Sequence, residues 1–301
     1  MKRKSFFLLL IVLLGGLIWY LFIKPSDYTV RFEVKTFAGA INQTIKTWHR
    51  SLENKGDLEQ AADLNEISQF LKFGDSINRY DWNIVPLTDS TSKIIVNVKD
   101  LDHSFANKLQ VPFSDTEFEK RTRKTLLEFN TVLQEHIKNF KVTIVGEDEL
   151  PSTFCAYIPV TGTQMEKASG MMRNYPFLSS VLVENQVELN GLPFVEVVDW
   201  NRKTDSLKYN FCYPIIRSEK LPEYPEIEYK RFFGKKVLKA VYNGNYITSD
   251  RAWYALLDYA KTHNIAVEPK PIEFFFNNPN MGGNEIEWRA EIYLPIKEGD
   301  E

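Results

Sequence analysis

The chain has 301 residues, enough for two domains of roughly 100–150 residues each. Hydrophobic residues make up 44% and charged residues 26%, which excludes a disordered or fibrous chain. The net charge of −3 comes with no clustered cationic face outside the N-terminus, so a nucleic-acid partner is excluded; two cysteines and no CxxC exclude a disulfide scaffold.

Phe6–Ile23 is an uncharged run preceded by Lys2, Arg3 and Lys4, with Trp19 and Tyr20 near its far end. About 20 apolar residues cross a bilayer core, and aromatic rings favour the interface. The exit Trp19-Tyr20-Leu21-Phe22-Ile23-Lys24-Pro25 is bulky, unlike a signal-peptide cleavage site. The run therefore predicts an uncleaved single-pass transmembrane helix within residues 1–26. The basic residues before it predict a cytoplasmic N-terminus and an extracytoplasmic body.

From Tyr28 to Thr36 apolar residues (Val30, Phe32, Val34) alternate with charged ones (Arg31, Glu33, Lys35), as in a half-buried strand. Ile41, Ile45, Trp48 and Leu52 then recur at helical spacing. Strands are expected at Ile67–Phe73, Asn78–Leu87 and Lys93–Lys99, the last two joined by a turn at Thr88–Ser92. Ser114 with Glu117 reads as a capping box opening a long helix, whose face is Phe118, Leu126, Phe129, Leu133, Ile137 and Phe140. This order of elements over 27–140 weakly resembles the helix-grip fold of the SRPBCC (polyketide-cyclase-like) superfamily.

A second domain is expected over 141–297. Strand Thr153–Val160, a helix carrying Met165, Ala168, Met171 and Met172, and strands Phe194–Trp200 and Ser206–Tyr213 form a first module. A connection containing Pro214, Pro222 and Pro225 follows. Strand Lys236–Tyr242, a helix with Trp253, Leu256, Leu257 and Ala260, and strands Ile272–Asn277 and Ile286–Pro295 repeat the order. The fold class is thus α+β, with strand–helix–strand–strand in tandem.

Within the second module, Val241-Tyr242-Asn243-Gly244-Asn245-Tyr246, Ala252-Trp253, Phe276-Asn277-Asn278-Pro279 and Trp288-Arg289-Ala290-Glu291-Ile292-Tyr293-Leu294-Pro295 resemble the closing half of the GyrI-like domain. This is the effector-binding domain of AraC-type and MerR-type regulators. The resemblance implies a binder of lipophilic, often cationic, small molecules between the two modules, with the pocket acid at Glu291. Residue alternation agrees in setting Arg289, Glu291 and Tyr293 on one face of their strand. A carboxylate among rings is costly to bury unless a cation or donors meet it. Tyr157, Tyr246, Trp253, Trp288 and Tyr293 are the candidate aromatic lining. Pairing of Glu291 with Arg289 or a tyrosine is the plainer reading of the same residues.

Some family members hydrolyse electrophilic metabolites, which would make Glu291 a general base. A docking protein of the cell envelope is the third reading. Neither a metal nor a cofactor is expected, since His49, His103, His136 and His263 show no ligand spacing, and His136 and His263 read as surface residues. Cys155 and Cys212 fall in apolar strand-like runs, either as buried thiols or as one disulfide.

Overall fold

The computed structural model describes residues 2–297 and divides the chain into two compact units, parting between Glu135 and His136.

The N-terminal segment corrects the first expectation. Helix α1 (Lys2–Ile18) has 17 residues and gives way to a π-helical turn at Trp19–Ile23. At 1.5 Å per residue the α-helical part spans about 25 Å, short of a hydrocarbon core of about 30 Å. No helix among the described residues is long and apolar enough to cross a membrane. The single-pass anchor over 6–23 is therefore not supported, nor is the cytoplasmic N-terminus with an extracytoplasmic body that rested on it. The π-helical turn is tied down instead: the Lys108 ammonium donates to the carbonyls of Leu21 (3.3 Å) and Lys24 (2.6 Å), and Phe22 meets Phe105 with ring centroids 5.8 Å apart.

The first unit is built on an antiparallel sheet of β1 (Tyr28–Val34), β2 (Lys55–Gln60), β3 (Glu66–Phe73), β4 (Ser76–Thr88) and β5 (Thr91–Asp100), in the order β1-β5-β4-β3-β2. Helix α2 (Ala38–Ser51) follows β1; α3 (Ser104–Gln110) and α4 (Glu117–Lys138) follow β5. Strict alternation of burial along β5 gives the sheet one face for the core. On that face Trp82 of β4, Trp48 of α2 and Phe129 of α4 pack together, with centroids 4.7 Å apart for Trp82–Phe129 and 5.3 Å for Trp48–Phe129. The buried Trp82 indole N–H is satisfied by Gln69 at 3.0 Å. The capping box of α4 lies two residues beyond the expected one. The Thr116 hydroxyl accepts from the Glu119 N–H (3.2 Å), and the Glu119 carboxylate accepts from the Thr116 N–H (3.3 Å).

The second unit is an eight-stranded antiparallel sheet. Its strands are β6 (Phe140–Leu150), β7 (Thr153–Thr163), β8 (Phe194–Asn201), β9 (Ser206–Ile215), β10 (Glu228–Phe232), β11 (Lys235–Gly244), β12 (Ile272–Phe275) and β13 (Arg289–Pro295). Their order is β10-β7-β9-β8-β12-β13-β11-β6. Helices α5 (Lys167–Glu184) and α6 (Arg251–Thr262) follow β7 and β11, so strand–helix–strand–strand occurs twice. The modules join where β8 pairs β12, with Phe194 opposite Phe274, Val195 opposite Glu273 and Glu196 opposite Ile272. That register places a pseudo-two-fold axis beside Val195 and Glu273. Flanking strands β6 and β10 have no counterpart in the expected order.

Candidate ligand site

Opposed residues in an antiparallel sheet share a face, so the register sorts the second unit's residues onto two sides. Tyr157, Cys212, Phe194, Phe274 and Glu291 are successive partners across five strands and lie in one row. Glu273 and Ile292 are partners on the opposite side, which carries the helices: Glu273 meets Lys167 of α5 and Trp253 of α6.

On the row side, a core of Phe194, Phe232, Leu150, Cys155, Cys212, Val237, Ile272 and Tyr293 fills the junction of the modules. Phe194 stacks on Phe274 at 4.8 Å, and Phe232 meets Phe194 edge-on at 5.5 Å. Glu291 is sheltered, 9% exposed, and its charge is answered within the protein. Arg289 and the Tyr293 hydroxyl (2.5 Å) donate to it, and the Lys239 ammonium lies 3.4 Å away. Burial, then the hydrogen bond to Glu291, pushes the Tyr293 phenol up to about 12, so it stays a donor. Tyr157 lies four strands away in the same row and donates to Glu228; burial and that carboxylate push it to about 12 as well. Cys155 and Cys212 are free and buried.

On the helix side, Trp253 is fully buried and its indole donates to Glu273 at 2.5 Å. Lys167 pairs with Glu273 and donates to Ser249 at 2.7 Å, its ammonium 4.6 Å from the Trp253 ring. Tyr246 is buried too, its hydroxyl donating to the Arg289 carbonyl at 2.8 Å, and it packs 5.7 Å from Trp288. Tyr246 and Trp288 line a groove of about 540 Å³ beside α5, together with Met165, Ala168, Met171 and Met172. Met171, Met172 and Pro279 continue into a second hollow of about 180 Å³, floored by Phe211, Tyr213 and Phe275 and flanked by Tyr175. The six residues expected at the site therefore divide: Glu291, Tyr293 and Tyr157 lie on the row side, Tyr246 and Trp288 at the groove, and Trp253 in the core beneath the helices. Lys167, Glu273 and Tyr175 had not been singled out.

His136 is a correction, since it is half-buried and not on the surface. It accepts from Arg251 Nε at 3.1 Å, and burial, then the guanidinium, depresses its pKa to about 4. No group of metal-ligating residues occurs among the described residues.

The sequence pattern described as GyrI-like small molecule binding domain matches residues 150–297. The C-terminal half of the chain is a GyrI-like domain. Solved structures similar to this GyrI-like half include the EcmrR C-terminal domain, at 13% identity, covering 53% of this chain and 99% of that one, TM-score 0.45. A hydrolase from Listeria innocua is 11% identical, over 50% of this chain and 92% of its own, TM-score 0.35. A putative transcription regulation protein from Staphylococcus aureus MU50 is 13% identical, over 52% and 99%, TM-score 0.35. No curated protein matches the chain.

Proposed function

We propose that the GyrI-like domain binds a lipophilic small molecule in the groove between α5 and the Pro279–Trp288 segment. The observation that carries this reading is the lining of methionine and aromatic side chains around about 540 Å³, within the range of small-molecule sites. Methionine adapts to irregular apolar shapes, and ring faces hold flat guests. Hydrolysis is the weaker reading: the carboxylate of Glu291, its proposed base, already accepts from Arg289 and Tyr293 and pairs with Lys239, so both oxygens are engaged within the protein.

The test is a titration of the full chain with an arylphosphonium cation and a neutral arene of the same shape, followed by tryptophan fluorescence. Saturable binding that Met172→Lys lowers at least tenfold, while Glu291→Gln does not, supports the groove. Loss on Glu291→Gln with Met172→Lys unaffected moves the ligand to the other side of the sheet.

A further inference from the structure

The two sheets have four edge strands, β1, β2, β6 and β10. An open edge presents a row of unpaired backbone groups, and proteins blunt such edges with bulges, charges or shortness. Strand β2 has a register irregularity between Lys55 and Leu58 and exposes Lys55, Asp57 and Glu59. Strand β6 breaks its register at Gly146, φ +108°, and β10 has five residues. Strand β1 has no bulge and is not cut short: it pairs with β5 over seven consecutive residues without a break and has no proline or glycine. Its two exposed charges, Arg31 and Glu33, are opposite in sign, so they can pair with a second strand as readily as repel one.

Along that edge runs a groove of about 370 Å³, lined by Val30 and Phe32 of β1 and by Leu126, Leu127, Asn130 and Gln134 of α4. Leu127 is 66% exposed. From the sequence of β1 we infer that this edge pairs with β1 of a second copy of the chain, antiparallel and across a two-fold axis at Phe32.

The charges decide between the possible registers. Because side chains alternate faces, a two-fold perpendicular to the sheet must set a residue opposite its own copy. Centred on Arg31 it sets arginine on arginine, and centred on Glu33 glutamate on glutamate. Centred on Val30, it opposes Glu33 to Asp27. An axis at Val34 sets Glu33 against Lys35 but carries Arg31 past the end of the strand to Phe37. The axis at Phe32 keeps the pairing within β1 and opposes Arg31 to the second copy's Glu33, twice, while Val30 meets Val34 and Phe32 meets Phe32. Arg31 and Glu33 are both exposed and free to meet across the axis. The apolar partners meet on the α4 side, where Leu126 and Leu127 of each copy flank them. The result is one ten-stranded sheet formed by strand addition.

Cysteine crosslinking of the full chain tests both the pairing and its register. Opposed antiparallel residues lie about 4.5–5.5 Å apart at Cα, within disulfide reach. On mild oxidation Phe32→Cys forms a crosslinked dimer and Val30→Cys does not, whereas Val30→Cys with Val34→Cys does. The unsubstituted chain, with Cys155 and Cys212 buried, is the control. Arg31→Glu and Glu33→Arg each weaken dimerisation on the order of tenfold by sedimentation, and the double reversal restores it. An uncrosslinked Phe32→Cys chain, a monomer at all concentrations, or a dimer indifferent to both single reversals overturns the inference.

Discussion

Lys167 and Glu273 form an ion pair with both side chains shut off from solvent, one on the first turn of α5 and the other on β12, so the pair stitches the two modules together. Ser249 and the Trp253 indole supply the further hydrogen bonds that such charges need away from water. Removing one partner leaves the other charge buried alone. Glu273→Gln and Lys167→Met should each cost roughly 3–5 kcal/mol in denaturant unfolding, and Lys167→Met with Glu273→Leu much less than their sum. Equal, additive losses would mean that the two residues act independently.

The pair also shows where sequence periodicity stops being informative. Strands β1 and β5 and helix α2 are legible because apolar residues repeat at the element's own period, which burial on one face enforces. Glu273 breaks that rule: it lies in the apolar run Ile272–Phe275 and points into the core, because its partner comes from 106 residues away. Strand β2 was missed because Lys55-Gly56-Asp57 has little strand preference and pairing with β3 supplies the order; β10 was hidden by the prolines before it. The capping motif fits Ser114–Glu117 and Thr116–Glu119 equally, and spacing alone does not choose between them. Eighteen uncharged letters suggested a membrane crossing, whereas the α-helix they enter stops at Ile18. The site residues divided between two sides because Glu291, Tyr293 and Tyr157 lie on strands and share the row side, whereas Tyr246, Trp253 and Trp288 come from the turns and the helix of the other side, a separation that spacing within one segment does not report.

Gly244 ends β11 at φ +146°, a conformation that L side chains rarely adopt. A Cβ there would stand 2.6 Å from the Tyr242 hydroxyl and 3.0 Å from the Asn139 carbonyl. That hydroxyl is already fixed by Thr248 (2.7 Å) and the Asn245 carbonyl (3.0 Å), so it has no cheap way to yield. Gly244→Ala should cost at least about 1–3 kcal/mol. At roughly 2–4 °C per kcal/mol for a unit of this size, thermal denaturation would register the loss. An unchanged melting temperature would show that the turn readily adopts another conformation.

Cys155 and Cys212 lie on neighbouring strands β7 and β9, both without solvent exposure. Burial holds the Cys212 thiol well above its usual range, while hydrogen bonding to Cys212 lowers Cys155. Thiolate is the reactive form, and neither sulfur is reached from solvent. The native chain should therefore leave an aromatic disulfide reagent unreacted over the time in which the unfolded chain releases two equivalents. One fast equivalent in the native state would reveal an opening of this core.

His136 lies at the end of α4 on the side that also carries Phe129 and Leu133, and the spacing 129, 133, 136, 140 marks it as inward-facing. Its neutral ring accepts from Arg251, an arrangement that protonation would break. Its pKa is about 4 in the folded chain against 6.5 as a reference, so above pH 6.5 neither state is protonated there. As pH falls from about 6.5 to about 4, the unfolded chain binds one more proton than the folded one, and stability drops by up to about 1.4 kcal/mol per pH unit. Below about 4 both states carry the proton and this contribution levels off. His136→Gln keeps an acceptor for Arg251 and removes the titration, so its unfolding free energy should lose that slope between pH 6.5 and 4. A variant as pH-sensitive as the parent across that window would assign the acid sensitivity to other groups.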